Sequence, residues 1–229
     1  MLREVFRAEL ASQGSQGSDA AFAEQEASGP PIRYVDWVVP GVIGMNLLFS
    51  SLFGVGFVIV RYRKNGVLKR LKATPVSALT FVSSQALSRF LIVLITSVIV
   101  YAGTNVFLKF VMKGSYLNLL LIAVLGILCM IAIGLVFASR FKSEELTTGM
   151  MNLLTVPMMI LSGVFFSMED ASPVLKGISR ALPLTQVVDG ARRVMLEGAD
   201  LVALLPNLAY LAVLTIALVV VSSLLFKWE

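Results

Sequence analysis

Arg61-Tyr62-Arg63-Lys64-Asn65-Gly66-Val67-Leu68-Lys69-Arg70-Leu71-Lys72-Ala73-Thr74-Pro75 stands between two long apolar runs, residues 38–60 and 82–108, and carries six positive charges with no acid. A basic stretch of this density suggests nucleic acid when met alone, and so does the formal net charge of +5. Its position decides otherwise. Lys and Arg in short loops beside a membrane span mark the side that stays inside the cell. The charge here sets orientation, and no nucleic-acid partner is expected.

Outward from this loop the chain has the character of a bilayer protein. Of 229 residues, 57% are hydrophobic and 14% charged, with a mean hydropathy of +0.86, outside the range of soluble domains. Five runs are long enough, at 1.5 Å per helical residue, to cross a hydrocarbon core of about 30 Å. They are residues 38–60, 82–108, 116–138, 148–167 and 204–226. The expected fold is an all-α polytopic membrane protein with about five transmembrane helices. Arg89 in the second run costs about 2.5–3.5 kcal/mol at a bilayer centre, which the apolar residues from 90 to 108, at about −0.3 to −0.6 each, offset. It is expected in the first turns of a long helix, snorkelling toward the interface. Pro157 predicts a kink in the fourth run. Ser50/Gly54 and Gly134/Ala138 are small residues four apart, which permit close helix approach.

Ahead of the first run, residues 11–31 are rich in Ser, Gly, Gln and acid and predict a flexible segment. Residues 1–10 carry charges of both signs and no apolar core, so they do not read as a secretory signal. The domain division is a flexible outer-side segment over 1–33 and a transmembrane domain over 34–229. The stretch before the first span has three basic and six acidic residues, against six uncompensated positives after it. Residues 61–80, 139–147 and 227–229 are therefore expected inside, and 109–115, with Lys109 and Lys113, and 168–203 outside.

Two segments between spans are organised. Asn65-Gly66 is a turn signal, Val67, Leu68 and Leu71 share one helical face, and Pro75 forces the chain out of helix near Thr74. This predicts a short amphipathic helix on the cytoplasmic surface, either a lipid anchor or a docking element for a cytoplasmic partner. On the outer side, Ser172-Pro173 supplies an N-cap with proline at the first helical position, and Val174, Leu175, Ile178 and Leu182 repeat on one face. Pro183 ends that helix. A second is expected from about Thr185, with Val187, Val188, Ala191, Val194 and Met195 on one face, Arg192 and Arg193 elsewhere and Gly198 as a stop. Such a pair either dips into the outer leaflet, caps a cavity, or is a plain interfacial loop.

Absences narrow the function. With no histidine and one cysteine, Cys129, in an apolar run, a disulfide within the chain and a His/Cys metal site are excluded. None of the five runs contains Asp or Glu, the residues that ion-coupled carriers place on their pathways. There is no Gly-Lys dipeptide, so a phosphate loop is impossible and any energy for uphill transport comes from another chain. No convergent acid, base and nucleophile set points to an enzyme. A transport subunit and a non-transporting scaffold or assembly factor remain, with a secondary carrier a weaker third.

Over residues 34–229 the chain resembles the ABC-2 type permease family. The matching stretches are Tyr34-Val-Asp-Trp-Val-Val-Pro-Gly41, the Gly66-to-Pro75 core of the basic loop, Leu161-Ser-Gly-Val-Phe-Phe166 and Leu182-Pro-Leu-Thr-Gln-Val-Val-Asp-Gly-Ala-Arg192. The resemblance implies a permease of the prokaryotic inner membrane that pairs with a second half, a homodimer being the expectation, and with cytoplasmic ATPase subunits. ATP and Mg would be held by that partner, with no cofactor in this chain. Cargo would be an amphiphile of the lipid, drug or glycan kind, and membrane lipid a further partner. It also implies site residues: Gly66, Leu68, Arg70, Leu71, Thr74 and Pro75 in a coupling region that meets the ATPase, and Ser162, Gly163, Phe165, Pro173, Pro183, Asp189 and Arg192 in an outer re-entrant region. Family members usually have six spans. The first is missing here, so residues 1–33 look like the remnant of an outer segment in a truncated or mis-started frame.

Overall fold

The computed structural model describes residues 33–67, 70, 73–74, 78–141, 143–166 and 171–225. They form helices and, among the described residues, no strand. In chain order these are α1 (Tyr34–Lys64), α2 (Ala78–Leu108), α3 (Tyr116–Arg140), α4 (Glu144–Leu161), α5 (Pro173–Arg180), α6 (Pro183–Arg192) with a π-helical turn Arg193–Glu197, and α7 (Leu201–Leu225).

The helix starts follow capping chemistry. Ser115, Ser143 and Ser172 each accept a backbone N–H with the side-chain oxygen, from Leu117, Leu146 and Leu175, at the heads of α3, α4 and α5. Glu144 and Glu145 complement the positive end of α4, and Arg61, Arg63 and Lys64 the negative end of α1. Gly198 closes the π turn in the left-handed region, at φ +71°.

Among the described residues, four helices are long and apolar enough to cross a membrane: α1, residues Thr80–Leu108 of α2, α3 and α7. The run expected over 148–167 falls short of that description. Its helix, α4, has 18 residues, opens on two glutamates and stops at Leu161, where Ser162 and Gly163 turn the chain. Gly163 supplies the turn with φ +67°. The helix boundary expected at Pro183 also moves: α5 ends at Arg180, and proline at the first position opens α6 instead. The first run continues as helix through the charged residues to Lys64.

The central helix is α3, with α1 and α7 as its main partners and α2 and α4 both packed on α1. Of the most apolar window of α3, 56% is buried, against 11% for α2 and for α7, which turn most of their surface outward. Backbone proximity holds the centre. A Cβ on Gly134 of α3 would lie 2.7 Å from the Leu52 carbonyl of α1, the close approach that a small residue allows.

The connections gather at two opposite ends. At one, the Arg63 guanidinium donates to the carbonyls of Ala138 (3.1 Å) and Phe141 (2.9 Å), capping α3. Beside it, Arg61 and Lys64 pair with Glu144 at 3.6 and 3.5 Å. At the other end the Asp36 carboxylate accepts the Arg33 backbone N–H at 3.3 Å and two guanidinium N–H groups of Arg33 at 3.1 and 3.2 Å. Arg33 donates on to the Leu108 and Lys109 carbonyls, and the buried Asp36 accepts the Val111 N–H at 3.1 Å. The Lys113 N–H donates to Met195 and the Asn118 amide to Ala199. α4 runs between the two ends: Glu144 meets the last turns of α1, while Val164, just past the helix, touches Gly41 in the second turn of α1.

Candidate functional site

The basic loop begins where α1 ends. Asn65 caps α1, and Gly66 turns the chain at φ +70° with open space around its Cα. Arg70 and Thr74 are exposed. Leu68, Leu71 and Pro75 lie outside the described residues.

At the opposite end α5 and α6 form a hairpin whose two members behave differently. α5 turns its apolar residues outward: Val174, Leu175 and Ile178 are exposed. Its buried residue is Ser179, whose hydroxyl donates to the Leu161 carbonyl at 2.7 Å. α6 is inserted among α1, α3 and α7, with Leu184, Val187 and Val188 buried. Glycines make the slot. A Cβ on Gly44 of α1 would lie 2.9 Å from Val188, one on Gly126 of α3 2.7 Å from Val187, and one on Gly190 of α6 2.7 Å from Ile122. The apolar face of α6 therefore meets protein rather than lying along a leaflet. Val187 and Met195 wall an apolar cavity of about 270 Å³, with Leu47, Leu94, Ser97 and Tyr101.

Arg192 is the hub of this end. Its guanidinium donates to the carbonyls of Trp37 (3.2 Å), Gly163 (2.7 Å) and Val164 (3.4 Å), and its central carbon stands 3.7 Å from the centroid of the Trp37 ring. This cation–π contact and three acceptors tie α1, the turn after α4 and α6 together. Burial pushes the guanidinium down to about 10, partly opposed by the charge of Asp189. A second node joins α6 to α7: the Asn207 amide donates to Gln186 Oε1 (2.9 Å) and Asp189 Oδ2 (3.1 Å). Tyr210 donates to the Ala181 carbonyl at 2.6 Å.

The outer-region candidates divide accordingly. Ser162 and Gly163 are buried at the turn, where Thr185 donates to the Ser162 hydroxyl and Gly163 accepts from Arg192. Pro183 is buried as the first residue of α6, whereas Pro173 is exposed as that of α5. Asp189 is exposed, 3.8 Å from Arg193. Phe165 is exposed and outside the hub.

The sequence profile of the ABC-2 family transporter protein matches residues 15–224, through both elements just described. The chain belongs to the ABC-2 transporter permease family. A similar curated protein is the linearmycin resistance permease protein LnrN of Bacillus subtilis (strain 168), 26% identical over 158 residues. That match covers 68% of this chain and 41% of the relative, so the chain spans about two fifths of the length of the curated relative it matches. In this ABC-2 permease, sequence reasoning overlooked Trp37, the slot glycines Gly44, Gly126 and Gly190, and Asn207. Asn207 carried a usable signal, an amide inside an apolar run, which asks for a partner.

Proposed function

We propose that the chain is one half of the translocation unit of an ATP-driven ABC exporter in the prokaryotic inner membrane. It assembles with a second copy of itself and with a separate ATPase chain that binds ATP and Mg. The observation that carries this reading is the family profile, whose match over residues 15–224 spans the basic loop and the α5–α6 hairpin. The basic loop is the cytoplasmic docking element, with Gly66, Leu68, Arg70, Leu71, Thr74 and Pro75 as its core, and the hairpin closes the outer end of the path. The name of the relative, a resistance permease, supports outward movement. The competing reading is a scaffold that never meets an ATPase. Recovery of a P-loop ATPase with the tagged chain from native membranes is the expected result. With both in proteoliposomes, the double change Leu68→Ser and Leu71→Ser is expected to abolish permease-dependent stimulation of hydrolysis while insertion is kept. A chain recovered from intact membranes without an ATPase favours the scaffold.

In the same reading α4 is a fifth crossing. The contacts of its two ends with opposite ends of α1 support this, although its length and composition alone do not. Cysteines placed singly at Asn65 and Gly177, both exposed, in a Cys129→Ala background test it. An impermeant thiol reagent applied outside intact cells should label Gly177→Cys, and Asn65→Cys only after the membrane is opened. Labelling of both from one side means an even number of crossings between them and removes α4 from the count.

A further inference from the structure

A serine or threonine hydroxyl inside an apolar helix can turn back on a carbonyl of the preceding turn. Those of Ser83, Ser84, Thr96, Thr155 and Thr215 do so here. Ser97 does not. Its residue is 7% exposed, and its Oγ is buried without a hydrogen-bond partner. Four residues on, the Tyr101 hydroxyl is buried and unpartnered as well. Residues i and i+4 lie one above the other on a helix face, so α2 presents two hydroxyls together. Both line the apolar cavity of about 270 Å³ between α1, α2, α3 and α6. Among the described residues the other buried hydroxyl without a partner is that of Ser51, which is not in the cavity wall. Leaving a buried hydroxyl unpaired is costly, and two at one cavity point to a ligand that answers them.

The rest of the wall selects against charge. Leu47, Leu94, Ile122 and Val187 are aliphatic, and no Lys, Arg, Asp, Glu, Asn or Gln lines the cavity. An ionic group would stand there without a counter-charge. Tyr101 meets Phe110 edge-on at 5.1 Å and Tyr116 at 6.3 Å, contacts that fix its ring. Val98 of α2 and Tyr116 and Leu120 of α3 are exposed, so the cavity opens to the surroundings of the chain between these two helices. Size sets the remaining bound. A dry cavity of about 150 Å³ takes benzene, so about 270 Å³ admits roughly eleven non-hydrogen atoms at the same packing. A lipid acyl chain suits the wall but answers neither hydroxyl. A water molecule answers the hydroxyls but leaves the aliphatic wall uncovered.

We infer that this cavity binds a small uncharged ring compound carrying one hydroxyl, of the phenol or cyclic-alcohol kind, held by Ser97 and Tyr101 and packed against Leu47 and Val187. Because the cavity is walled by Val187, Ala191 and Met195 as well as by α1, α2 and α3, the bound compound holds α6 in its slot and acts as an effector. Binding is a property of the chain itself and does not require an ATPase partner. The test uses the purified full chain in phosphatidylcholine nanodiscs, with thymol and p-cymene, the same substituted ring with and without its hydroxyl.

The expected result is a saturable rise of the thermal midpoint in circular dichroism, reached with thymol at a concentration about fivefold lower than with p-cymene, the worth of one net hydrogen bond. Ser97→Ala and Tyr101→Phe should each bring the apparent affinity for thymol down toward that for p-cymene and leave p-cymene unmoved. Ala123→Leu, which fills the cavity from α3, should abolish both shifts. Should that variant lose helix content, the two hydroxyl deletions, which fill no space, decide the case. Amide hydrogen exchange across residues 183–197 should slow with thymol. Equal apparent affinities for the two compounds give the cavity to acyl chains and overturn the proposal. A preference for thymol that survives in both Ser97→Ala and Tyr101→Phe overturns it too, as does unchanged exchange across 183–197. A shift that never saturates and persists in a folded Ala123→Leu is an effect on the bilayer and overturns it equally.

Discussion

Replacing Arg192 by alanine should lower the thermal midpoint of the purified chain by roughly 6–12 °C in circular dichroism. Hydrogen bonds to a charged group contribute about 1.5–3 kcal/mol each, and about 3 kcal/mol is a conservative total for a hub of this kind. For a chain of this size each kcal/mol corresponds to roughly 2–4 °C. The loss is large because three backbone carbonyls, of Trp37, Gly163 and Val164, lose their donor together and Trp37 loses the cation over its ring. Arg192→Lys keeps the charge but presents a point donor in place of the planar fork, so less than half of the loss should be recovered. A midpoint within about 2 °C of the parent in Arg192→Ala would show that these carbonyls find other donors and that this end of the bundle does not depend on the hub.

An equally large effect is expected from Gly134→Leu, and the matched change Gly103→Leu should do nothing comparable. Around Gly103 there is open space, and at Gly134 the first side-chain atom would meet the Leu52 carbonyl at 2.7 Å. Overpacking a close-packed interior costs about 1–3 kcal/mol when side chains can give. Here the obstacle is the backbone of α1, so the cost should reach or pass the top of that range. Gly103→Leu removes a poor helix former and should be neutral or slightly stabilising. Fluorescence-detected size exclusion after heating compares the two directly. Similar survival of both variants would mean that α1 and α3 tolerate separation, contrary to their close packing.

Helices were legible in the sequence because their cause is local. An apolar run of bilayer length forms a helix wherever it stands, and four of the five runs coincide with helices of spanning length and hydropathy. The fourth was harder, since Glu144 and Glu145 belong to its first turn and Gly163 turns the chain before the hydrophobic stretch is over. The apolar face of α6 was also readable: Val187, Val188, Ala191, Val194 and Met195 share one face and all are buried. What that face meets was not readable, because the answer lies in glycines of α1 and α3 far away in sequence. Arg192 stood off that face in the helical pattern and invited a solvent reading. Its partners are carbonyls of Trp37 and Gly163, which no residue pattern announces. The direction of Arg89 depends on Gly54 across a helix interface, which its own run does not announce.

Acid chemistry has little purchase on the Arg192 hub. The acceptors of the Arg192 fork are backbone carbonyls, which do not titrate, and the guanidinium, held down to about 10, remains charged at any physiological pH. A base whose folded value is depressed has the same charge in both states until pH approaches that value, so its contribution to stability is constant below about pH 9 and becomes more favourable as pH rises through 10. A proton gradient across the membrane thus finds no protonation step in the fork itself. In the proposed exporter, this fork is released by a competing donor or by force from the helices it joins, so any opening here falls to whatever moves α1 and α4.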